Sequence, residues 1–179
     1  MSEWSRTLDA LLRERGAALF GYAYVLTGSP HAAEDLLQDA LLRTFRSGRA
    51  SRDLNAAHAY VKRAITSAFI DSGRRSASRP RTVTHGGLEA GSAPDHAPAS
   101  DAAADLHAAL LTLPPRERAC VVLRYLEDLP VATVAAELGL AEGTVKRYLA
   151  DGVAKLRALQ AAVEFTESTT IPIMEGRLR

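Results

Sequence analysis

The sequence predicts an all-α protein built from two small helical domains that a flexible linker joins. Apolar residues recur in both halves at the three- and four-residue spacing of amphipathic helices, and no stretch alternates apolar and polar residues as a strand does. A segment rich in Gly, Pro, Ser and Ala separates the halves, with too few large apolar residues to offset its ordering entropy. We therefore expect domains at residues 1–76 and 105–163, a linker at 77–104 and a C-terminal tail at 164–179.

The N-terminal domain is predicted to contain three helices. Gly28 ends the first helix, Ser29 is the candidate N-cap of the second, and Pro30 suits its first position. The inward faces are, helix by helix, Leu8, Leu11, Leu12, Leu19, Tyr22, Ala23 and Leu26; then Ala33, Leu36, Leu37, Ala40, Leu41, Thr44 and Phe45; then Ala57, Tyr60, Val61, Ala64, Ile65 and Ala68.

The C-terminal domain is predicted to contain shorter helices followed by one long helix. Pro114-Pro115 breaks the chain after the first of them, and Gly139 ends the third. Their inward residues are, in order, Leu106, Ala109, Leu110 and Leu113; Ala119, Val122, Leu123 and Leu126; Val131, Val134, Ala135 and Leu138; and Val145, Leu149, Leu156 and Val163.

The composition excludes several classes of protein. The single cysteine, Cys120, rules out an internal disulfide, and its apolar neighbours indicate a buried side chain. No nucleophile–base set, phosphate loop or paired metal ligands appear, so we expect neither an enzyme nor a cofactor or metal. No stretch approaches the roughly 18 apolar residues of a membrane span, and the charged N-terminus lacks the apolar core of a signal peptide. We expect a cytoplasmic protein without membrane contact.

Residues 131–156 have the pattern of a helix-turn-helix. A short helix, a glycine turn at Gly139 and a second amphipathic helix follow one another, and Ala135 is small where the two helices must cross closely. Lys146 and Arg147 share the exposed stripe near the start of the second helix, where side chains reach DNA bases and phosphates in a major groove. An ordinary helical hairpin with solvated basic residues would show the same pattern.

A second motif lies on the second helix of the N-terminal domain. Its outer stripe holds Asp35, Gln38, Asp39 and Leu42. Like charges four residues apart destabilise a helix slightly, and a leucine extends the same exposed stripe. This combination favours a docking face for a basic partner, although a solvated helix face with a chance leucine remains the alternative.

Three stretches together resemble the extracytoplasmic-function sigma factors of the sigma-70 family. AEDLLQDALLRTF resembles sigma region 2.2, LPPRERACVVLRYLEDLP resembles region 4, and ELGLAEGTVK resembles the recognition element that region 4 shares with LuxR-type activators. The motifs occur in the order of the family, and the resemblance covers roughly residues 5–75 and 105–160. It implies a subunit that binds core RNA polymerase, recognises the −10 and −35 promoter elements and assists promoter melting.

The resemblance also implies partners and roles for particular residues. The clamp helices of the polymerase β′ subunit would bind Asp35, Gln38, Asp39 and Leu42. The −10 element would meet Lys62, Arg63, Thr66, Ser67, Arg74 and Arg75. The −35 element would meet Thr144, Lys146, Arg147 and Tyr148. Contact of the C-terminal domain with the β flap and control by an anti-sigma factor are implied by the family only.

The sequence departs from the family pattern where DNA would be read. Ser67 stands where the family often has asparagine, and a hydroxyl reads fewer atoms of a base edge than an amide does. Tyr148 stands where arginine is common, and Asp151 replaces a position that is often basic. Ala141 replaces a usual serine N-cap. These departures, together with a net charge of only +1, predict weak DNA binding by the chain alone.

Three alternatives remain at this stage. A LuxR-type activator would share the helix-turn-helix but would need a sensor or receiver domain, and no βα alternation is present. A helical hydrolase or metal enzyme lacks any supporting motif. A degenerate sigma-like protein would bind core polymerase or an inhibitor without reading DNA. In the tail, Ile171, Ile173 and Met174 form a small apolar motif that could dock onto either domain or a partner, and we expect disorder otherwise.

Overall fold

The computed structural model describes the backbone of residues 3–46, 53–78 and 101–168, and side chains at 5–46, 53–73 and 101–161. The N-terminal half consists of α1 (Glu3–Thr27), α2 (Pro30–Arg46) and α3 (Leu54–Ser78). The C-terminal half consists of α4 (Asp101–Thr112), α5 (Pro115–Val121), a π-helical turn (Val122–Leu126), α6 (Val131–Leu138) and α7 (Glu142–Ser168). No strand occurs among these residues, which confirms the all-α fold.

The observed helices extend beyond the predicted domain limits. α3 continues to Ser78 and α4 begins at Asp101, so both enter the segment that was predicted as linker. α7 continues to Ser168, which lies in the predicted tail. The rest of the predicted linker and tail, including Ile171, Ile173 and Met174, lies outside the described residues.

The α1–α2 junction has the predicted stop and start signals. Gly28 adopts a φ of +74°, the left-handed conformation that favours glycine, and its N–H donates to the carbonyl of Tyr24 at 2.8 Å. The Ser29 hydroxyl accepts from the N–H of Ala32 at 3.4 Å, and Pro30 is the first residue of α2. The N-cap is therefore confirmed, although its hydrogen bond is long.

The N-terminal half is a three-helix bundle with a well-filled core. Leu11, Leu19, Leu26, Val61 and Ile65 are fully buried between α1, α2 and α3. Two residues assigned to this core are exposed instead, namely Leu12 at 42% and Tyr60 at 47%. Both lie at the edge of an apolar helix face, and the neighbouring helices cover only the centre of that face.

The C-terminal half packs around α5 and α7. Leu113, Val122, Val134 and Val145 are almost completely buried there, as predicted. Cys120 is also buried, and the loss of solvation raises the pKa of its thiol to about 11.

Two residues predicted inside the C-terminal core are exposed, Leu106 at 57% and Leu126 at 58%. Leu126 ends the π-helical turn, where the N–H of Glu127 donates to the carbonyl of Val122, five residues earlier. The wider turn shifts the phase of the apolar stripe, so a prediction based on regular α-helical spacing fails at this point.

The two halves pack against each other. α1 contacts α4 and α5, and α3 contacts α5 and α6, so the buried residues of both halves form one continuous cluster. The sequence signals for two separate domains did not predict this contact.

Candidate functional site

The exposed face of α2 holds all four residues that were predicted to dock a protein. α2 buries Ala33, Leu36, Leu37 and Ala40, which turns Asp35, Gln38, Asp39 and Leu42 to the solvent. Leu42 is 66% exposed, the largest value among the exposed large apolar residues that are described. The four residues form one continuous stripe, which we call the acidic face.

Neighbouring side chains hold the carboxylates of the acidic face only loosely. Asp35 lies 3.8 Å from the His31 imidazole, and Asp39 lies 3.9 Å from the Arg43 guanidinium. All four side chains are well exposed, and ion pairs of this kind add little to stability. The carboxylates therefore remain available for stronger, charge-assisted bonds to a cationic partner.

The α3 residues that were predicted to meet the −10 element fall into two groups. Arg63 and Ser67 are exposed, four residues apart on one side of the helix. Tyr60 joins them, with its ring centroid 5.7 Å from the Arg63 guanidinium. Tyr60 was predicted to lie in the core, yet it is exposed. Arg63, three residues further along the helix, was the available signal that this side of α3 is open. Tyr60, Arg63 and Ser67 form the open face of α3.

Thr66 and Lys62 lie on the other side of α3. Thr66 is 2% exposed, and its hydroxyl donates to the carbonyl of Lys62 at 3.1 Å and accepts from the Tyr22 hydroxyl at 2.7 Å. Burial raises the pKa of Tyr22, which keeps the phenol protonated as a donor. In this arrangement, Thr66 is a core residue and does not share a surface with Ser67.

Lys62 is engaged by the C-terminal half. Its ammonium group forms an ion pair with Glu127 and lies 4.6 Å from the centroid of the Tyr22 ring. The Lys62 and Glu127 side chains are only 20% and 24% exposed. Arg74 and Arg75, the remaining residues assigned to the −10 element, lie in the last turns of α3, and their side chains are outside the described residues.

The helix-turn-helix has the predicted geometry. Gly139 adopts φ 62° and ψ 38°, and the N–H of Leu140 donates to the carbonyl of Ala135 at 2.9 Å, as in a glycine-terminated helix. Ala135 and Val145 are buried where α6 meets α7. The turn thus fixes the direction in which α7 leaves α6.

The start of α7 presents the residues that were predicted to read the −35 element. Lys146 and Arg147 are exposed, whereas Thr144 and Tyr148 are half-buried. The Arg147 guanidinium lies over the Tyr148 ring, 5.4 Å from its centroid, in a cation–π contact. Ala141 offers only its backbone carbonyl, which accepts from the N–H groups of Thr144 and Val145.

Arg118 is a buried cation that the sequence analysis did not single out. Its guanidinium donates to the carbonyl of Leu26 in α1, and to those of Leu111 at 2.7 Å and Leu113 at 3.0 Å. It also lies 5.7 Å from the centroid of the Phe69 ring in α3. Burial lowers the pKa of Arg118, yet three carbonyl acceptors satisfy much of its donor capacity. The local sequence pattern does not predict this long-range contact.

Within the described ranges, no cluster of three or more His, Cys, Asp or Glu side chains could hold a metal ion. Among the described helices, none is both long and apolar enough to cross a membrane.

Two family descriptions match the chain: Sigma-70 region 2 over residues 11–79 and Sigma-70, region 4 over residues 103–156. The chain is 34% identical over 163 residues to the ECF RNA polymerase sigma factor SigE of Mycolicibacterium smegmatis, covering 83% of this chain and 60% of that protein. It is 35% identical over 155 residues to the ECF RNA polymerase sigma factor SigL of Mycobacterium tuberculosis, covering 84% of this chain and 86% of that protein.

A further relative is the RNA polymerase sigma-E factor of Streptomyces coelicolor, 34% identical over 149 residues, with 83% of each chain covered. Among solved structures, the chain is similar to the sigma factor RpoE of Bartonella quintana, solved in complex with the anti-sigma factor NepR. The TM-score is 0.57 at 20% identity, and the match covers 90% of this chain and 98% of that chain, which shows a likeness of fold.

Proposed function

The chain belongs to the extracytoplasmic-function sigma factors of the sigma-70 family, and from this premise we propose how its surfaces divide the work of starting transcription. It is a transcription initiation subunit that directs RNA polymerase to specific promoters. We assign core docking to the acidic face, −10 recognition to α3 and −35 recognition to the start of α7. We also place the protein in the cytoplasm, where its template and the polymerase are.

The acidic face is the single observation that carries the proposal. A helix that served only the stability of the bundle would gain nothing from two carboxylates four residues apart beside a leucine that is 66% exposed. A basic partner helix converts each of these costs into a favourable contact, because the carboxylates accept charge-assisted hydrogen bonds and the leucine becomes buried. The β′ clamp helices are the partner that fits a member of this family.

The start of α7 fits the reading of duplex DNA. Lys146 and Arg147 project from the first turns of the helix that follows the glycine turn, the part of a helix-turn-helix that enters the major groove. Their side chains suit bidentate or single contacts with guanine and with phosphate. Asp151 is exposed one turn further along the same helix and disfavours extended phosphate contact there.

The open face of α3 fits the capture of a single strand. A tyrosine supports stacking of an unpaired base, an adjacent arginine holds the phosphate, and a serine hydroxyl reads one edge of the base. Tyr60, Arg63 and Ser67 provide these groups in sequence order on one helix side. Promoter melting would therefore use binding energy, and this chain would supply no catalytic side chain.

A groove between α4 and α7 is our candidate site for the β flap. Leu106, Leu156 and Leu159 line it, and two of these leucines are exposed. A second attachment point on the polymerase would fix the spacing of the two DNA readers, so that weak contacts add on one template. An anti-sigma factor, which the Bartonella quintana relative binds, would act by covering one of the same surfaces.

Transcription in vitro tests the proposal directly. Purified core polymerase is incubated with genomic template fragments, with and without the chain, and the 5′ ends of the transcripts are mapped. We expect new transcripts with shared start-site sequences only when the chain is present. Core binding without new start sites would support the degenerate sigma-like alternative. The exposed Asp151 is consistent with that alternative, because a carboxylate disfavours contact with DNA phosphates. No binding and no new transcripts would overturn the assignment.

A further inference from the structure

The same five-residue pattern, Arg-Tyr-Leu-x-Asp, occurs twice in the C-terminal half. The first copy spans residues 124–128, in and just after the π-helical turn, and the second copy spans residues 147–151 on α7. In both copies the arginine guanidinium lies over the ring of the tyrosine that follows it, 5.6 Å from the centroid for Arg124 and 5.4 Å for Arg147. The two arginines nevertheless differ in their contact with the aspartate of the pattern.

Only the first copy joins its arginine to its aspartate. Arg124 donates to the Asp128 carboxylate at 3.2 Å. Arg147 and Asp151 are four residues apart on a regular helix, a spacing that brings opposite charges within reach of each other. Within the described part of the chain, however, Arg147 contacts the Tyr148 ring and forms no ion pair with Asp151. The Arg147 guanidinium therefore keeps its donors free of that carboxylate.

The two tyrosine rings also differ in their burial. Tyr125 is 61% exposed, so few neighbours restrict its ring. Tyr148 is half-buried and packs against the hydrophobic core, flanked on α7 by the buried residues Val145 and Leu149. A ring that the core holds in place has few conformations, and it restricts the guanidinium that lies over it in the same way.

We propose that Tyr148 is a positioning residue, whose core-held ring keeps Arg147 away from Asp151 and directs it to one base pair of the −35 element. The proposal rests on the assignment of −35 recognition to the start of α7. A guanidinium reads guanine through two donors in one plane, so its orientation must be fixed. An ion pair with Asp151 would occupy those donors, whereas contact with a ring face leaves them available.

The proposal explains two departures from the family pattern together. Asp151 by itself would weaken the DNA contact beside it, because it could pair with Arg147 and cancel its charge. The Tyr148 ring offsets this effect by giving the guanidinium a different contact. The combination of Tyr148 and Asp151 therefore lowers the general attraction to phosphates while it preserves selectivity at one position.

Transcription from a template library measures this selectivity. The −35 positions of a promoter that the chain uses are randomised, the library is transcribed with core polymerase, and the transcribed templates are sequenced. Arg147→Ala identifies the position that Arg147 reads. At that position we expect a preference of roughly tenfold for one base in the unaltered chain and in Tyr148→Phe, and of about twofold in Tyr148→Ala. Preferences at the other positions should stay the same.

Removal of the competing carboxylate separates positioning from general damage to the domain. Tyr148→Ala combined with Asp151→Asn should regain most of the lost preference, since Arg147 then has no carboxylate to pair with. The matched control is Tyr125→Ala, which removes the exposed ring of the first copy and should leave every preference unchanged. No recovery in the double variant, or an equal loss with Tyr125→Ala, would overturn the positioning role.

Nuclear magnetic resonance of the free chain tests the contact without a promoter. The ring current of Tyr148 should shift the Arg147 side-chain methylene protons upfield, and Tyr148→Ala should abolish this shift while circular dichroism shows unchanged helix content. Identical Arg147 signals in both chains would overturn the proposal even if the chain directs transcription. An unaltered chain that starts no transcription with core would instead overturn the proposed function, and the reading of a base by Arg147 with it.

Discussion

The acidic face of α2 and the Lys62 side of α3 lie on the same three-helix bundle but differ in their exposure to solvent. The acidic face of α2 is open along its length, from Asp35 to Leu42. On α3, Lys62 is paired with Glu127 of the C-terminal half, whereas Tyr60, Arg63 and Ser67 are exposed. Under the proposed assignments, the surface for core polymerase is available in this structure, whereas the Lys62 side of the surface for the −10 element is not.

Charged side chains are also arranged differently on the two helices. On α2, carboxylates remain exposed with loose neighbours 3.8 and 3.9 Å away, a state that costs little and suits a transient partner. At the α3 interface, a cation and a carboxylate are buried together, which is stable only while both remain paired. The first arrangement is ready for binding, and the second resists separation.

Reversing the charge of the acidic face should have the largest effect of all, a loss of affinity for core polymerase. Asp35→Arg with Asp39→Arg replaces two acceptors by cations that a basic partner repels, and we expect core affinity to fall by about 100-fold or more. The melting temperature should hardly change, because both side chains are exposed. The control, Asp9→Arg with Glu14→Arg, makes the same charge change on α1. Unchanged co-purification with core would contradict the docking assignment.

The second-largest effect is expected on removing Arg118, which should weaken the packing of the two halves and lower folding stability. Arg118→Ala leaves three carbonyls without their donor and removes the contact with Phe69, which should cost about 2–4 kcal/mol of folding stability. Thermal unfolding would show a melting temperature several degrees lower, with core binding retained below the transition. Arg118→Lys serves as the control for charge alone. A melting temperature equal to that of the unaltered chain would show that the halves do not depend on this contact.

The start of α7, to which we assign −35 recognition, provides an exposed counterpart to Lys62 of α3. Arg147→Ala should lower promoter-specific transcription about tenfold, the effect of one lost base or phosphate contact. Core affinity should remain unchanged, in contrast to the charge reversal on α2. Arg13→Ala, which removes a 77% exposed arginine from α1, is the matched control. Full transcription by the Arg147 variant would refute this position as a promoter contact.

A smaller effect is expected from shortening the exposed leucine of the acidic face. Leu42→Ala removes apolar surface that only the partner would bury, so core affinity should fall about fivefold. Stability should not change, since the side chain is 66% exposed. Leu12→Ala, at a leucine that is 42% exposed on α1, should leave core affinity unaltered. Equal affinities for both variants would remove Leu42 from the docking face.

The smallest effect is expected for the chemical reactivity of the native thiol, Cys120. Burial raises the pKa of Cys120 to about 11, so that at pH 8 only about one molecule in a thousand carries the reactive thiolate. Ellman's reagent should therefore react slowly with Cys120 and rapidly with an added thiol in Ser67→Cys, on the open face of α3. Raising the pH should speed up the Cys120 reaction. Equal rates at pH 8 would show that the C-terminal core opens freely.

Local periodicity predicted the helices and the acidic face because both depend on neighbours three and four residues away. Asp35 and Leu42 could be assigned outward as soon as Ala33, Leu36 and Ala40 were assigned inward. Gly139 could be assigned to the turn because few residues other than glycine adopt its backbone conformation readily.

The sequence did not predict features that depend on distant parts of the chain. The burial of Thr66 depends on Tyr22 in α1, and the covering of Lys62 depends on Glu127, 65 residues away. Leu126 was misplaced because a π-helical turn changes the helical repeat, and no local residue pattern announces such a turn. Contacts of this kind follow from the packing of whole helices.

Under the proposed function, a polymerase docked on the acidic face strengthens promoter contacts that are weak in the free chain. Selection from sheared genomic DNA tests this most directly: fragments retained by the chain alone and by the chain with core polymerase are sequenced. We predict enrichment of a common promoter sequence only when core is present. Equal enrichment of the same sequence by the chain alone would contradict the claim.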